Sequence, residues 1–192
     1  MTYDLKNVFY IDQQFDIAGG TAAGSETGKT LDISAYIDPV ATNRSTGVGL
    51  AIYKVHFDWS DTTGNTTIDD GEKGGGRAAV IVGDLGFTGT TATVAMNDFT
   101  LSNSNQNLVA SQDFYGPLYG GASASPGFAS EMVIQMPSIE VPYVAVRDTL
   151  NLVWGQALTA QTTTANISVR LEVAQIKLGA AVLNQLLRTQ TV

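Results

Sequence analysis

Apolar and polar residues alternate with a period of two along most of the chain, the pattern of half-buried β-strands. In residues 47–59 one alternating set, from Ala51 to Trp59, stays apolar, and the other, from Leu50 to Asp58, becomes polar toward its end. We therefore predict one long strand there, covered mainly on one face. Further strands are predicted over residues 7–17, 29–37, 78–87, 91–101, 131–141, 144–158 and 166–178.

About eight strands with turn-forming residues between them, and little helix, predict an all-β fold. Two half-apolar sheets each bury one face against the other, so the expected architecture is a β-sandwich. The long connections 60–76 and 102–130 favour a jelly-roll (Greek-key) path over a meander. We expect a single jelly-roll domain over residues 1–192, with an extended N-terminal segment at 1–28 and a C-terminal helix or tail at 179–192.

Local features refine this prediction. The three residues 88–90 are short enough to join runs 78–87 and 91–101 as a hairpin. The apolar face of the last strand shifts toward Ile176 and Leu178, as a bulge near Ala174 or Gln175 would cause. Helical spacing occurs only at the end of the chain, where four apolar residues predict a short helix: Val182, Leu183, Leu186 and Leu187.

The segment AGSETGKT, residues 23–30, resembles a phosphate-binding loop, with Ala23 at the position of the first glycine. Such a loop needs a buried strand before it and a helix after Lys29. A small, Gly-rich stretch precedes it and the alternating run TLDISAYI follows. We therefore predict a flexible loop leading into a β-strand, without nucleotide binding.

Candidate catalytic and metal-binding residues are few. His56 is the only histidine, which excludes a multi-histidine metal site. It is predicted on a polar strand face beside Lys54 and Asp58. The 18 acidic residues form no recognisable pair for acid–base catalysis. We expect no enzyme activity, no cofactor and no catalytic residues.

Residues 61–72, DTTGNTTIDDGE, partly match a calcium-binding loop. Thr66 stands where such a loop needs glycine, and the flanks are predicted strands. We expect a solvated acidic loop and assign no metal-ligating residues, although whether Asp61–Glu72 binds Ca²⁺ stays open. Oxygen-bearing side chains occupy these positions of the pattern: Asp61, Thr63, Asn65, Asp69 and Glu72.

Composition narrows the partners. The formal net charge is −8, and the 10 basic residues are scattered along the chain, which argues against direct contact with nucleic acid. The chain contains no cysteine, so disulfides and thiolate ligands are excluded. No signal peptide or spanning segment is predicted, and membrane contact is left open without being indicated. We expect no small-molecule substrate.

The Gly- and Ser-rich stretch 102–130 is predicted to be a surface loop, with a short strand in LVASQDFY as the alternative. Four aromatic residues lie in it: Phe114, Tyr115, Tyr119 and Phe128. We favour a contact surface for them, since the surrounding residues have little local structure of their own. Anchoring of the loop on the sandwich is the alternative. For the C-terminal helix we favour packing on its own domain over contact with a partner or a membrane.

The stretch MPSIEVPYVAVRDTLNLVWGQALTAQTTTANISVRLEVAQIKL resembles the closing strands of viral jelly-roll capsid proteins. A Pro-flanked segment leads to a strand, a Thr- and Asn-rich loop and a long last strand. Length and acidity are most similar to small single jelly-roll capsid proteins of membrane-containing icosahedral viruses of archaea and thermophilic bacteria. The resemblance is one of pattern, without a diagnostic motif.

This resemblance implies an upright sandwich in oligomeric capsomers, a companion capsid protein and location in the virion after synthesis in the host cytoplasm. The basic N-terminal arm of many RNA-virus coat proteins is absent from MTYDLKNVFYIDQQ, which implies a shell separated from the genome. The expected function is a structural capsid subunit that self-assembles into an icosahedral shell. The alternatives are a phage tail or decoration protein and a β-sandwich module that binds carbohydrate or a receptor.

Overall fold

The computed structural model describes residues 7–38, 46–61, 75–87, 92–95, 101–115, 130–157 and 163–190. These residues form ten β-strands, a short 3-10 helix at Ser34–Tyr36 and one α-helix. The elements are β1 (Phe9–Ile17), β2 (Ser25–Asp32), β3 (Thr46–Asp61), β4 (Gly75–Val82), β5 (Ala92–Ala95), β6 (Leu108–Tyr115), β7 (Ser130–Gln135), β8 (Tyr143–Ala145), β9 (Thr149–Gln156), β10 (Ala165–Gly179) and α1 (Ala180–Thr189).

The strands form two antiparallel sheets. One sheet has the order β1-β10-β3-β8, and the other has the order β5-β2-β9-β4-β6-β7. When β5 and β7 are set aside at the edges of the larger sheet, the first strand pairs with the last, the second with the seventh, the third with the sixth and the fourth with the fifth. This is the nested pairing of a jelly roll, and the predicted fold is confirmed.

Alternate side chains of both sheets meet in one hydrophobic core, as two half-apolar sheets require. Three aromatic residues fill one part of it: the rings of Trp59 and Trp154 stack with centroids 5.5 Å apart, and Phe114 lies 6.1 Å from Trp59. Phe114 is therefore a core residue on β6, so the prediction of an aromatic contact surface in a loop is wrong at this position.

The predicted long strand is confirmed as β3, but its facing changes midway. Ile52 pairs with Val173 and Lys54 with Glu172, so Tyr53 is an extra residue on β3. Leu50 and Ile52 enter the core before this bulge, and Val55 and Trp59 enter it afterwards. The bulge predicted on β10 near Ala174 or Gln175 thus lies on β3, at Tyr53.

The strand predicted at residues 29–37 is β2, which begins at Ser25 and ends at Asp32. The Asp32 carboxylate accepts a hydrogen bond from the main-chain N–H of Ser34, at 2.8 Å, which starts the 3-10 turn. This bond keeps the pKa of Asp32 below its ordinary value. The described part of 1–28 thus contributes β1 and the start of β2 to the two sheets.

The hairpin predicted for runs 78–87 and 91–101 is wrong. β4 ends at Val82 inside the six-stranded sheet, and β5 pairs with β2 at an edge of that sheet, with β2 and β9 between it and β4. Gly83 and Gly86 have positive φ angles of 107° and 78°, which turn the chain away from β4. Phe87 then packs on the sheet's outer side, together with Leu101 and Leu108.

The run 144–158 contains two strands in different sheets, because the chain crosses between the layers at Val146–Asp148. The run 131–141 keeps strand structure only to Gln135. LVASQDFY, predicted as loop by default, is β6. The last run is confirmed as β10.

The C-terminal helix is confirmed and packs on its own domain. Leu183 is buried against Val146 and Leu178, with Leu186 and Leu187 partly buried beside them. This contact decides between the two interpretations of α1, because its apolar side is occupied within the chain.

Candidate functional site

The segment AGSETGKT lies mostly within β2 and has the geometry of a sheet. Gly28 pairs with Val153, and Lys29 pairs with Leu152 of β9. The Lys29 ammonium donates to the main-chain oxygen of Gln14, at 3.3 Å. The predicted loop is therefore strand at residues 25–28, and the strand continues from Lys29 where a phosphate-binding loop has a helix.

The remaining sequence candidates have mixed outcomes. His56 lies on the polar face of β3, as predicted, with Lys54 and Asp58 also exposed. The candidate calcium ligands from Thr63 to Glu72, together with Tyr119 and Phe128, lie outside the described residues. Within the part of the chain that the structure describes, no three His, Cys, Asp or Glu side chains are placed to hold a metal ion.

Polar side chains of three neighbouring strands meet on the outer side of the four-stranded sheet. They belong to β1, β10 and β3, whose opposite faces carry the core residues Ile11, Val169 and Val55. The register aligns them in three rows across the strands, which we call the outer groove: Tyr10, Glu172 and Lys54; Asp12, Arg170 and His56; Gln14, Ser168 and Asp58.

An open pocket of about 670 Å³ lies over the outer groove, and all residues of the groove except Lys54 line it. Arg170 Nε donates to Asp12 Oδ1 at 2.7 Å, and its guanidinium carbon lies 5.8 Å from the centroid of the Tyr10 ring. His56 Nε2 and Glu172 Oε1 are 3.0 Å apart. These contacts hold the polar groups in place, while 61% of Tyr10 stays exposed.

The outer groove carries more acidic than basic side chains. Its two basic and three acidic side chains leave a single negative charge when His56 is neutral, and Lys54 is not among the residues that line the pocket. Hydrogen bonding to Asp12 raises the pKa of Arg170, so this cation persists at any accessible pH.

A second surface is the outer edge of the six-stranded sheet, which we call the open edge and which comprises β7 and the connection to Val141. β7 pairs with β6 on one side and has no described strand on the other. Large apolar side chains are exposed along it, by 51%, 59%, 45% and 74% in chain order: Met132, Val133, Ile139 and Val141.

The neighbouring edge of the four-stranded sheet is covered by contrast. Its last strand is β8, and the side-chain amide of Gln190 bonds to the main chain of Val144 and Val146. The two edges on the same side of the sandwich thus differ: one is sealed by the C-terminal helix, and the other presents apolar side chains to solvent.

Sequence reasoning found His56, Lys54 and Asp58 on one face but missed the outer groove. The groove depends on the register between β1, β10 and β3, which are far apart in the chain. The sequence does contain one sign of the groove. Polar residues alternate with core residues in YIDQQ and SVRLE, so the polar side chains face away from the core.

No protein-family model matches the chain, and no curated protein is significantly similar to it. Among the described helices, none has both the length and the apolar character needed to cross a bilayer.

Proposed function

We propose that this chain is a structural subunit of a virus particle, a capsid protein that assembles with copies of itself and with a companion capsid protein into an icosahedral shell. Its place would be the virion, and its contacts would be with protein. The jelly-roll fold and the chain's resemblance to small capsid proteins support this role. Fold alone is a weak indicator of function, so surface features have to carry the proposal.

The observation that carries it is the open edge. Exposed sheet edges invite pairing with other chains, and soluble proteins usually cover them or place charged residues there. Here Met132 and Val133 are more than half exposed on an edge strand, and Val141 extends the apolar surface beyond it. A surface of this kind is expected where a neighbouring subunit covers it.

The contrast with β8 supports the same conclusion. One edge is sealed by Gln190, so the sandwich does not leave both edges of this side available to neighbours. Contacts through a single edge are directional, which a closed symmetric assembly requires. Each contact can be weak, because a shell multiplies many small interfaces.

Electron microscopy and sedimentation of the purified chain over a range of concentrations test the proposal. We expect regular capsomers or shells from the native chain and their loss in Val133→Asp, which places a charge on the open edge. Val182→Asp is the matched control, because Val182 is 51% exposed on α1, which packs against the four-stranded sheet. Melting temperatures of both variants check that the fold is retained.

A monodisperse monomer at every concentration, alone and with candidate companion proteins, would contradict the capsid proposal. Hexameric rings without a closed lattice would favour the tail or decoration protein. Equal assembly of Val133→Asp and the native chain would remove the open edge from the interface.

A further inference from the structure

The outer groove has the features of a ligand-binding site that assembly through the open edge does not use. It lies on a different face, the exposed side of the four-stranded sheet, and its volume of about 670 Å³ is in the range of small-molecule sites. Two spacings between strands and three rows of side chains give its floor dimensions of about 10 by 13 Å.

The chemistry of the groove disfavours two classes of ligand. Three carboxylates and one guanidinium line the pocket, so it repels phosphate and other anions. Among the residues that the structure describes, no group of three His, Cys, Asp or Glu side chains can hold a metal ion, which argues against a metal site. An uncharged ligand that uses hydrogen bonds fits this lining.

The polar groups of the groove form two pairs. Arg170 donates to Asp12, and His56 Nε2 lies 3.0 Å from Glu172 Oε1, so donors and acceptors stand side by side in the groove. Hydroxyl groups donate and accept hydrogen bonds at once, so a ligand rich in hydroxyls can use both kinds of group.

An aromatic ring completes the site. Tyr10 is exposed by 61%, and Arg170 lies 5.8 Å from its ring centre. An aromatic ring offers a flat apolar surface to the C–H face of a sugar ring, while its hydroxyl stays available for hydrogen bonding. Apolar and polar contacts side by side are what a sugar ring requires, because it carries C–H and O–H groups on the same small frame.

We propose that the outer groove binds a neutral saccharide, with a sugar ring stacked on Tyr10 and its hydroxyls bonded to the Asp12–Arg170 and His56–Glu172 pairs. The floor is longer than one sugar ring, so the ligand would be a chain of two or more sugar residues, as in a surface glycan. This site would act in attachment and does not depend on assembly.

Backbone amide NMR of the labelled full chain tests this with neutral cello-, chito- and manno-oligosaccharides, their monosaccharides and anionic sialic acid. We expect a neutral oligosaccharide to shift amides of residues 9–14, 54–58 and 168–172. Its affinity should exceed that of its own monosaccharide by about tenfold, because more of the floor is covered.

Two variants of Tyr10 separate stacking from general effects. Tyr10→Ala should weaken binding by about tenfold, and Tyr10→Phe, which keeps the ring, should stay within about twofold of the native chain. The melting temperature of each variant checks its fold. Val133→Asp should bind the sugar as the native chain does, so failure of the capsid proposal would not be mistaken for failure of this one.

Four results would overturn the inference: no shift from any neutral saccharide, stronger binding of sialic acid, equal affinity for monosaccharide and oligosaccharide, or equal binding by Tyr10→Ala. Concentration-dependent shifts of the same amides without sugar would assign the outer groove to contacts between copies of the chain, and this too would overturn it.

Discussion

Gln190 and Val146 are joined by a hydrogen bond in which the main-chain N–H of Val146 donates to the side-chain oxygen of Gln190, at 3.0 Å. The amide nitrogen of Gln190 donates to the Val144 carbonyl at 2.6 Å, so one side chain bonds the edge of β8 as a neighbouring strand would. Arg147 donates to the Gln190 carbonyl at 3.2 Å. The end of α1 is thereby fixed to the sheet.

Gln190→Ala should loosen this attachment. The variant leaves a buried main-chain N–H and carbonyl without their bonds, so we expect a loss of about 1–3 kcal/mol in the free energy of unfolding. Faster hydrogen exchange in residues 180–190 should accompany it. Gln185→Ala is the control, because Gln185 is exposed on α1. An equal loss there would show that the hydrogen bonds of Gln190 are not the cause.

The ion pair between Arg77 and Asp113 should stabilise the outer side of the six-stranded sheet. Arg77 Nε and Nη2 donate to the two oxygens of Asp113 at 2.6 and 3.0 Å, and Nη1 donates to the Leu101 carbonyl. Hydrogen bonding to Asp113 raises the pKa of Arg77. Arginine stays protonated at ordinary pH even without such a partner, so removing Asp113 leaves a partly buried positive charge unpaired.

Asp113→Ala should therefore cost about 2 kcal/mol in urea unfolding, less than the about 3–5 kcal/mol of a fully buried pair, because Arg77 is partly exposed. Asp12→Ala removes the exposed partner of Arg170 and should change stability negligibly. Similar losses in both variants would show that burial does not set the strength of these pairs.

Tyr143 should make stability depend on pH in the alkaline range. Its hydroxyl donates to the Gln106 carbonyl at 3.2 Å, and burial raises the pKa of Tyr143 well above its ordinary value. The unfolded chain releases this proton near pH 10, whereas the folded chain keeps it. Proton loss therefore favours unfolding, and stability falls as pH rises above about 10.

Chemical unfolding at intervals between pH 8 and pH 11 measures this slope. Tyr143→Phe should flatten it relative to the native chain, while other tyrosines and lysines affect both chains alike. An unchanged slope in the variant would assign the alkaline loss to those other groups.

Gly28→Ala should destabilise the domain although it keeps the residue small. A Cβ at Gly28 would lie 2.7 Å from the Phe87 ring, so the ring would have to move. We expect a loss of about 1–3 kcal/mol by thermal unfolding, the usual cost of overpacking. Gly179→Ala is the control, because a Cβ there meets no atom within 4 Å.

Gly28→Ala and the native chain also test whether the glycine in AGSETGKT serves phosphate binding. If Gly28 served phosphate binding, ATP with Mg²⁺ would raise the melting temperature of the native chain and not that of Gly28→Ala. We expect no shift in either, since Gly28 is paired with Val153 inside a sheet.

Local alternation was enough to predict the sandwich and most strands, because strand facing repeats every two residues. It failed where pairing with a strand far away in the sequence determines the structure. β5 pairs with β2 and not with β4, and nothing near Thr90 in the sequence specifies that choice. The run 144–158 reads as one strand, because Val146–Asp148 contain no Gly or Pro that would mark the crossing between sheets.

The candidate sites were likewise predictable only where local alternation, and not strand pairing, places the residues. Alternation placed His56 and Asp58 on one face, but Arg170 reaches them only through the pairing of β10 with β3. The open edge was hidden for a different reason: Met132 and Val133 look like ordinary core residues until the sheet order leaves β7 outermost. Apolar character alone does not distinguish a core strand from an edge strand.

The extra residue at Tyr53 sets a limit on how this chain can change. Removing it would turn one half of β3 over relative to the other, bringing Lys54 and His56 toward the sandwich interior. Chains that share this fold should therefore accept many amino-acid exchanges within Thr46–Asp61 but few insertions or deletions. An exchange keeps each side chain on its face of the strand, whereas adding or removing one residue reverses the faces.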